Sequence, residues 1–424
     1  MLDIIRPGDD RYPLVRHVYS AEGSPAAVVR PRVPAEVPEA LAFARQEGGP
    51  FSVRSGGHGI SSISTNVGGT VIDLGALSTI ERIDDRVVEV GPGARWGRVA
   101  STLRPWGLAI SSGDSGDVGV GGLATTGGIG LMGRKHGLTI DSLVGADIVT
   151  ADGVVRTLSP TDEPDLFWAV RGAGANFGIV TGFRFRASTD ASVVHASFAY
   201  AIADTAGFLE RWGATVESAP RSISAFLYLF GGAQPFAQAT VVFAGTDTDA
   251  AVRALEPFTR IGQVVGRRAE ATAYADVLPT SGAVHSGQQT AVTRTGLAVH
   301  LDRRISRSLA SLTRGGEADM IQLRSVGGAI NDVPSSATAY AHRHQNFSVT
   351  AVSMNGLQSL DAAWQESREL MDGLYLSFES GHAPERVEDA FPPETLDRLR
   401  RLKAHWDPDG IFDQNFAIDR VASA

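Results

Sequence analysis

The segment Gly113 to Gly130 reads GDSGDVGVGGLATTGGIG, and its glycine density constrains the fold more than any other feature of the chain. A packed core needs side-chain volume, which glycine lacks. Glycine instead lets the backbone turn through positive φ and bring unhindered N–H groups against a partner. A bound anion or a planar ring is the natural tenant of such a loop. It is not a Walker loop, because no Gly-Lys-Ser/Thr follows, and it lacks the strand–helix setting and downstream acidic residue of a dinucleotide fingerprint. A second glycine loop, Arg54-Ser55-Gly56-Gly57-His58-Gly59, follows the strand candidate Phe51 to Arg54 and carries an imidazole. Either loop alone is compatible with a plain turn. Two in one region, one bearing a nucleophile, point to a binding site lined by backbone amides.

A chain of 424 residues exceeds what one core normally serves, so two domains are expected. The formal charge is −9, from 38 basic and 47 acidic residues. No Lys/Arg-rich stretch offers a footprint for nucleic acid, so a phosphate-bearing cofactor would rely on backbone amides. There is no cysteine, which excludes disulfides, thiolate metal sites, iron–sulfur clusters and a cysteinyl flavin link. His342 and His344 have a spacing a metal could use, but no third ligand stands out, and no metal is expected. The apolar run at Met1 to Pro7 is too short for a secretory segment and no stretch reaches membrane length, so a cytoplasmic protein with no membrane partner is the default expectation.

Along the chain, residues 1–187 alternate short strands (Phe51 to Arg54, Gly69 to Leu74, Val87 to Val90) with helices such as Trp96 to Leu103. From about Val193 the runs lengthen. Ala225 to Phe230 and Gln238 to Phe243 read as strands, Thr248 to Phe258 and Leu360 to Leu374 as helices, and Leu396 to Lys403 as a closing amphipathic helix. The pattern is α+β, with a mainly antiparallel sheet backed by helices in the second part.

Seven ordered segments resemble one family: Pro25 to Val53, Arg54 to Leu74, Gly113 to Leu138, Arg171 to Thr181 (RGAGANFGIVT), Gly327 to Ile330, Thr338 to Arg343 and Leu402 to Ile418. The chain resembles the FAD-linked oxidases of the vanillyl-alcohol oxidase superfamily, in the berberine-bridge-enzyme-like branch that includes 6-hydroxy-D-nicotine oxidase. The resemblance implies a two-domain PCMH-type FAD-binding fold. Residues 1–187 and 375–424 would form the FAD-binding domain, with an inserted substrate domain, 188–374, of antiparallel sheet backed by helices. It also implies that His58 is bonded to the 8α-methyl of FAD. In that frame the amides of Ser55, Gly56, Gly57, His58 and Gly59, with those of Gly119, Gly121 and Gly122, would hold the pyrophosphate, and Arg54 and Gly113 would also belong to the cofactor site. Gly174, Asn176, Gly178 and Val180 would line the adenine side, and Asn415 would reach the flavin. Many relatives add a second link from a cysteine three residues before Val118; Ser115 stands there, so the attachment would be monocovalent. In the family the position of Val118 gates dioxygen, and a small aliphatic residue there tilts the expectation toward an oxidase.

The expected reaction is hydride transfer from a small organic substrate to flavin, followed by reoxidation with dioxygen to hydrogen peroxide. The proton acceptor is the weak point. The family's Y-x-N-Y segment matches Tyr375-Leu376-Ser377-Phe378, which leaves only Tyr375, and the strand Asn346 to Met354 carries no carboxylate or lysine. An amine would need no separate base, since its lone pair drives hydride loss to an iminium ion once the nitrogen is neutral; an alcohol would. Tyr375 is the first candidate, with His136, His285, Tyr200 and Tyr228 behind it, although buried groups of these types are more often satisfied core residues. Asp114 and Asp117 read as turn residues making Asx hydrogen bonds. A flavin-dependent natural-product tailoring enzyme, by cyclisation or oxygen transfer, and a flavin-binding protein without turnover are the competing readings. A homo-oligomer is possible.

Overall fold

The N-terminal strands are short because glycine and proline punctuate them, and they assemble into two sheets. The computed structural model describes residues 1–288, 291–354, 356–381, 385–413 and 416–419. Strands β1 (Asp3–Ile5), β2 (Ala27–Arg30), β3 (Phe51–Arg54) and β4 (Thr70–Asp73) form a sheet in the order β1-β2-β4-β3. β2 and β3 flank β4 in parallel, so the loop bearing His58 leaves from the carboxyl end of a parallel strand, where open sheets commonly place ligands. Strands β5 (Ile80–Arg82), β6 (Val87–Val90), β7 (Leu143–Val149), β8 (Val155–Leu158) and β9 (Ile179–Arg186) make an antiparallel sheet ordered β5-β6-β9-β7-β8. The helices Trp96–Leu103 and Pro164–Ala173 bury Trp96, Leu103, Phe167 and Val170 with Val90, Ile148 and Phe183 of this sheet.

The third sheet draws on a separate stretch of chain. Strands β10 (Ser192–Ala201), β11 (Ile223–Phe230), β12 (Phe236–Ala244), β13 (Gln263–Ala273), β14 (Val292–Ala298), β15 (Met320–Ser325) and β16 (Phe347–Ser353) are antiparallel in the order β13-β10-β12-β11-β15-β16-β14. Period-2 alternation gives the sheet two apolar faces. One face packs under the helices Thr205–Ser218, Arg303–Gly315 and Leu357–Glu369 through Trp212, Leu309 and Trp364. The other brings Val193, Phe226, Val242 and Leu297 against Ile129, Met132, Tyr340 and Tyr375. Beyond the sheet the chain returns, and Leu374, Leu376, Leu396, Leu399 and Phe416 join the core of β5–β9.

The α+β expectation holds, with shifts at helix ends. The helix expected to run to Phe258 is α-helical only from Thr248 to Leu255, because Pro257 turns the remainder into a 3-10 segment. The helix expected to reach Leu374 stops at Glu369, ahead of Gly373 at φ 66°. The closing helix is longer than expected, Pro393–Trp406, with proline in its first turn. Among the described residues no helix is long and apolar enough to cross a membrane.

Candidate active site

A cavity of about 760 Å³ lies between the two glycine loops, residues 281–286 and the segment Tyr375 to Phe378. The loops meet backbone to backbone. A Cβ on Gly56 would sit 2.4 Å from the Gly119 nitrogen, and one on Gly119 only 2.2 Å from the Gly56 nitrogen. Such contact admits no side chain at either position. Gly57 adds a left-handed turn at φ 69° that presents His58. The Ser55 hydroxyl donates to the Pro92 carbonyl at 2.6 Å and accepts from the Gly121 amide at 3.1 Å, and that amide also donates to Pro92 at 3.0 Å. A buried ion pair, Arg54 to Asp73 at 2.6 Å, fixes the strand end from which the loop departs.

His58 stacks on Tyr19, with ring centroids 5.0 Å apart, and meets His285 edge-on at 4.8 Å. Its Nε2 is buried and has no hydrogen-bond partner among the described residues. Burial, reinforced by His285 and Arg95, pushes its pKa down to about 4 against the weak opposing pull of Asp117. The imidazole is therefore neutral near pH 7 and holds an unshared electron pair. His285 donates from Nε2 to the Gly56 carbonyl at 2.9 Å. Residues 279–288 form a strap beside this imidazole. Asp117 accepts from the Ser281 amide and hydroxyl at 2.6 and 2.7 Å and from Gly282 at 3.3 Å, while Gly116 donates to Pro279 at 2.8 Å.

Tyr375, Ser377, Phe378 and Asp114 also line the cavity. Tyr375, 2 % exposed, accepts at its hydroxyl from the Gly128 amide at 2.9 Å, and Ser377 lies 2.7 Å from the Thr126 hydroxyl. Asp114 accepts from the Tyr228 hydroxyl at 2.7 Å and from Arg324 at 2.9 and 3.2 Å. The Arg324 guanidinium lies 4.0 Å from the centre of the Phe378 ring, at cation–π distance.

Most of the expected cofactor residues come together around this cavity: Ser55, Gly56, Gly57, His58, Gly59, Gly113, Ser115, Val118, Gly119, Gly121, Gly122, Gly174, Gly178 and Val180 line it. Three need correction. The Gly121 amide is committed to Pro92 and Ser55, so it supplies wall rather than a donor. Arg54 sits behind the wall in its ion pair. Asn176 is also behind it, donating to the Phe416 carbonyl at 3.4 Å and accepting from the Ile418 amide at 3.1 Å. It ties down the C-terminal segment instead of lining the adenine side. Asn415 lies outside the described residues.

Of the base candidates, Tyr375 and His285 line the cavity, Tyr375 bonded to Gly128 and His285 to Gly56. Tyr228 reaches it only through Asp114. Tyr200 is a core residue whose hydroxyl donates to the Phe258 carbonyl at 2.8 Å, and His136 pairs with Asp190 at 2.8 Å in a separate surface cavity. Neither can meet a substrate at the glycine loops. Asp114 and Asp117 are not the Asx turns expected of them, since each holds a distant segment. Arg324 and Tyr19 gave no signal in the sequence, and of the strap only His285 stood out; an aspartate beside a cavity-forming glycine was the one available hint for the rest. Among the described residues no cluster of metal ligands occurs.

Residues 25–159 match the model of the FAD binding domain family. (R)-6-hydroxynicotine oxidase of Paenarthrobacter nicotinovorans is 27% identical over 99% of this chain and 97% of its own length. Chitooligosaccharide oxidase of Gibberella zeae is 39% identical, but over 38% of this chain and only 34% of that protein. Among solved structures, 6-hydroxy-D-nicotine oxidase from Arthrobacter nicotinovorans superposes with a TM-score of 0.85 at 24% identity, covering 99% and 98% of the two chains. Glucooligosaccharide oxidase from Acremonium strictum, described with a 6-S-cysteinyl, 8α-N1-histidyl FAD, superposes at 0.87 with 22% identity, covering 100% and 98%. At these identities the structural likeness speaks for the fold.

Proposed function

We propose, from the premise that this chain is an FAD-binding oxidoreductase of the vanillyl-alcohol oxidase superfamily with the berberine-bridge-enzyme-like fold, that it is an oxidase. It holds FAD through His58 and oxidises a C–N or C–O bond of a small molecule, with dioxygen as the second substrate. FAD, when bound, accepts a hydride from the substrate carbon and passes the electrons on to dioxygen, releasing hydrogen peroxide. The supporting observation is the neutral, unpartnered His58 imidazole at the edge of a cavity walled by two interlocked glycine loops.

The residues divide the work. The loops around Gly56 and Gly119 offer close backbone approach to a phosphate-bearing group, and Gly174, Gly178 and Val180 complete the wall. Ser115 stands where a sulfur link would form and has none to give, so His58 is the single anchor. Val118 leaves a small aliphatic surface for dioxygen. Tyr375 is the phenol placed at the substrate end, held by the Gly128 amide. We assign residues 1–187 and 375–424 to the cofactor and 188–374 to the substrate, because β10–β16 all fall between residues 192 and 353.

Denaturation of the purified yellow protein in acid tests the anchor: flavin fluorescence is expected to stay on the protein band, and complete release into the supernatant overturns the link. Peroxide formed stoichiometrically with substrate, across a panel of amines and alcohols, supports an oxidase. Substrate turnover without peroxide favours a tailoring enzyme, and a flavin that no substrate bleaches anaerobically favours a binding protein.

A further inference from the structure

We propose that Asp114 is the recognition group for a cationic amine and that its Oδ1 receives the substrate N–H; this rests on the oxidase reading above and selects C–N over C–O chemistry within it. Two carboxylates line the cavity, Asp114 and Asp117. Asp117 uses both oxygens on the strap, Oδ2 on Ser281 and Oδ1 on Gly282. Asp114 is arranged differently. Tyr228 and both Arg324 contacts converge on Oδ2 and Oδ1 takes none of the three, while the carboxylate also accepts from its own backbone amide. The side chain keeps 20% of its surface accessible, on the cavity wall.

The polarity of the ion pair decides what it attracts. Arg324 is 4 % exposed, lies against the Phe378 ring and is not part of the cavity wall. The carboxylate lines the cavity and the guanidinium lies behind it, so the pair presents its negative end. Burial alone would raise the Asp114 pKa, but Arg324 and the Tyr228 hydroxyl hold it below the usual carboxylate range. Asp114 therefore stays ionised, a steady acceptor and counter-charge but a weak base. An ionised carboxylate holds an ammonium and then faces the positive charge that grows as hydride leaves the carbon beside nitrogen. The ammonium must first release one proton to solvent, because Asp114 is too weak a base to keep it, and an alcohol gains little from such a group. A charge-assisted hydrogen bond in a largely desolvated wall is worth a preference of roughly tenfold or more.

The test uses flavin-loaded protein and three probes of one skeleton, benzylamine, benzyl alcohol and benzoate, titrated at neutral pH while the flavin absorbance is followed. Benzylammonium is expected to bind at least about tenfold more tightly than the other two, and Asp114→Asn to abolish that preference while the flavin content stays unchanged. Equal affinities, a preference for benzoate, no spectral response to benzylammonium up to its solubility, or a preference that survives in Asp114→Asn would each overturn the inference. If Asp114→Asn does not fold, the wild-type ranking alone decides. A preparation without flavin would instead sink the oxidase reading, which keeps the two failures distinct.

Discussion

The imidazole of His58 faces Tyr19, His285, Arg95 and Asp117, and burial outweighs the attraction of the one acidic neighbour. Its pKa falls from 6.5 to about 4, so between those values the unfolded chain binds a proton that the native protein does not. Stability of the flavin-free protein is therefore expected to fall as pH drops from about 6.5 toward 4, by about 3 kcal/mol in all. Melting temperatures across that range check this, and His58→Ala should flatten the slope as well as remove flavin fluorescence from the protein band. Gly56 makes the complementary case, in which an added atom does the damage. Gly56→Ala forces its Cβ onto the Gly119 backbone, with an expected loss of about 1–3 kcal/mol and of bound flavin. Denaturant titration and the visible spectrum read the two effects separately.

Elements that act locally were legible in the sequence, and those that act across the chain were not. The helix Trp96–Leu103 follows its apolar spacing residue for residue, and the glycine loops are recognisable because their composition serves no packing purpose. A motif match ranks Tyr375 ahead of Tyr200 and His136, but only the tertiary fold shows Tyr200 in a core and His136 in another cavity. Asp114 and Arg324 stand 210 positions apart, and they meet because the register of β15 and β11 carries Arg324 toward the glycine loop. No periodicity encodes such a meeting. The same holds for the strap, which has no regular structure and depends on Asp117. Asp117→Ala removes three hydrogen bonds to residues 281–282 and should loosen that segment by about 1–3 kcal/mol locally. Limited proteolysis is expected to cut within 279–288 far sooner than in the wild type, with little change in global melting.

Across the whole molecule, the C-terminal return is fastened by one buried lysine. Lys403 donates to Asp407 at 2.6 Å and to the carbonyls of Phe412 and Asn176 at 2.7 and 2.8 Å. Lys403→Met would leave Asp407 charged without its cation, at a cost of about 3–5 kcal/mol. Calorimetry should show the lower transition, and because Asn176 borders the segment with Gly174 and Gly178, flavin affinity should fall with it. The strap has a bearing on how such a protein is made. His285 contacts Gly56 across 229 positions of sequence, so the loop that holds the histidine leaves the ribosome long before the chain that covers it. A nascent or truncated chain ending before residue 279 would carry the histidine in water, protonated more readily and without its neighbour. Cofactor loading is thus expected not to precede synthesis of the strap, and ribosome-stalled chains of increasing length, probed for flavin fluorescence, should carry no label while they end before residue 279.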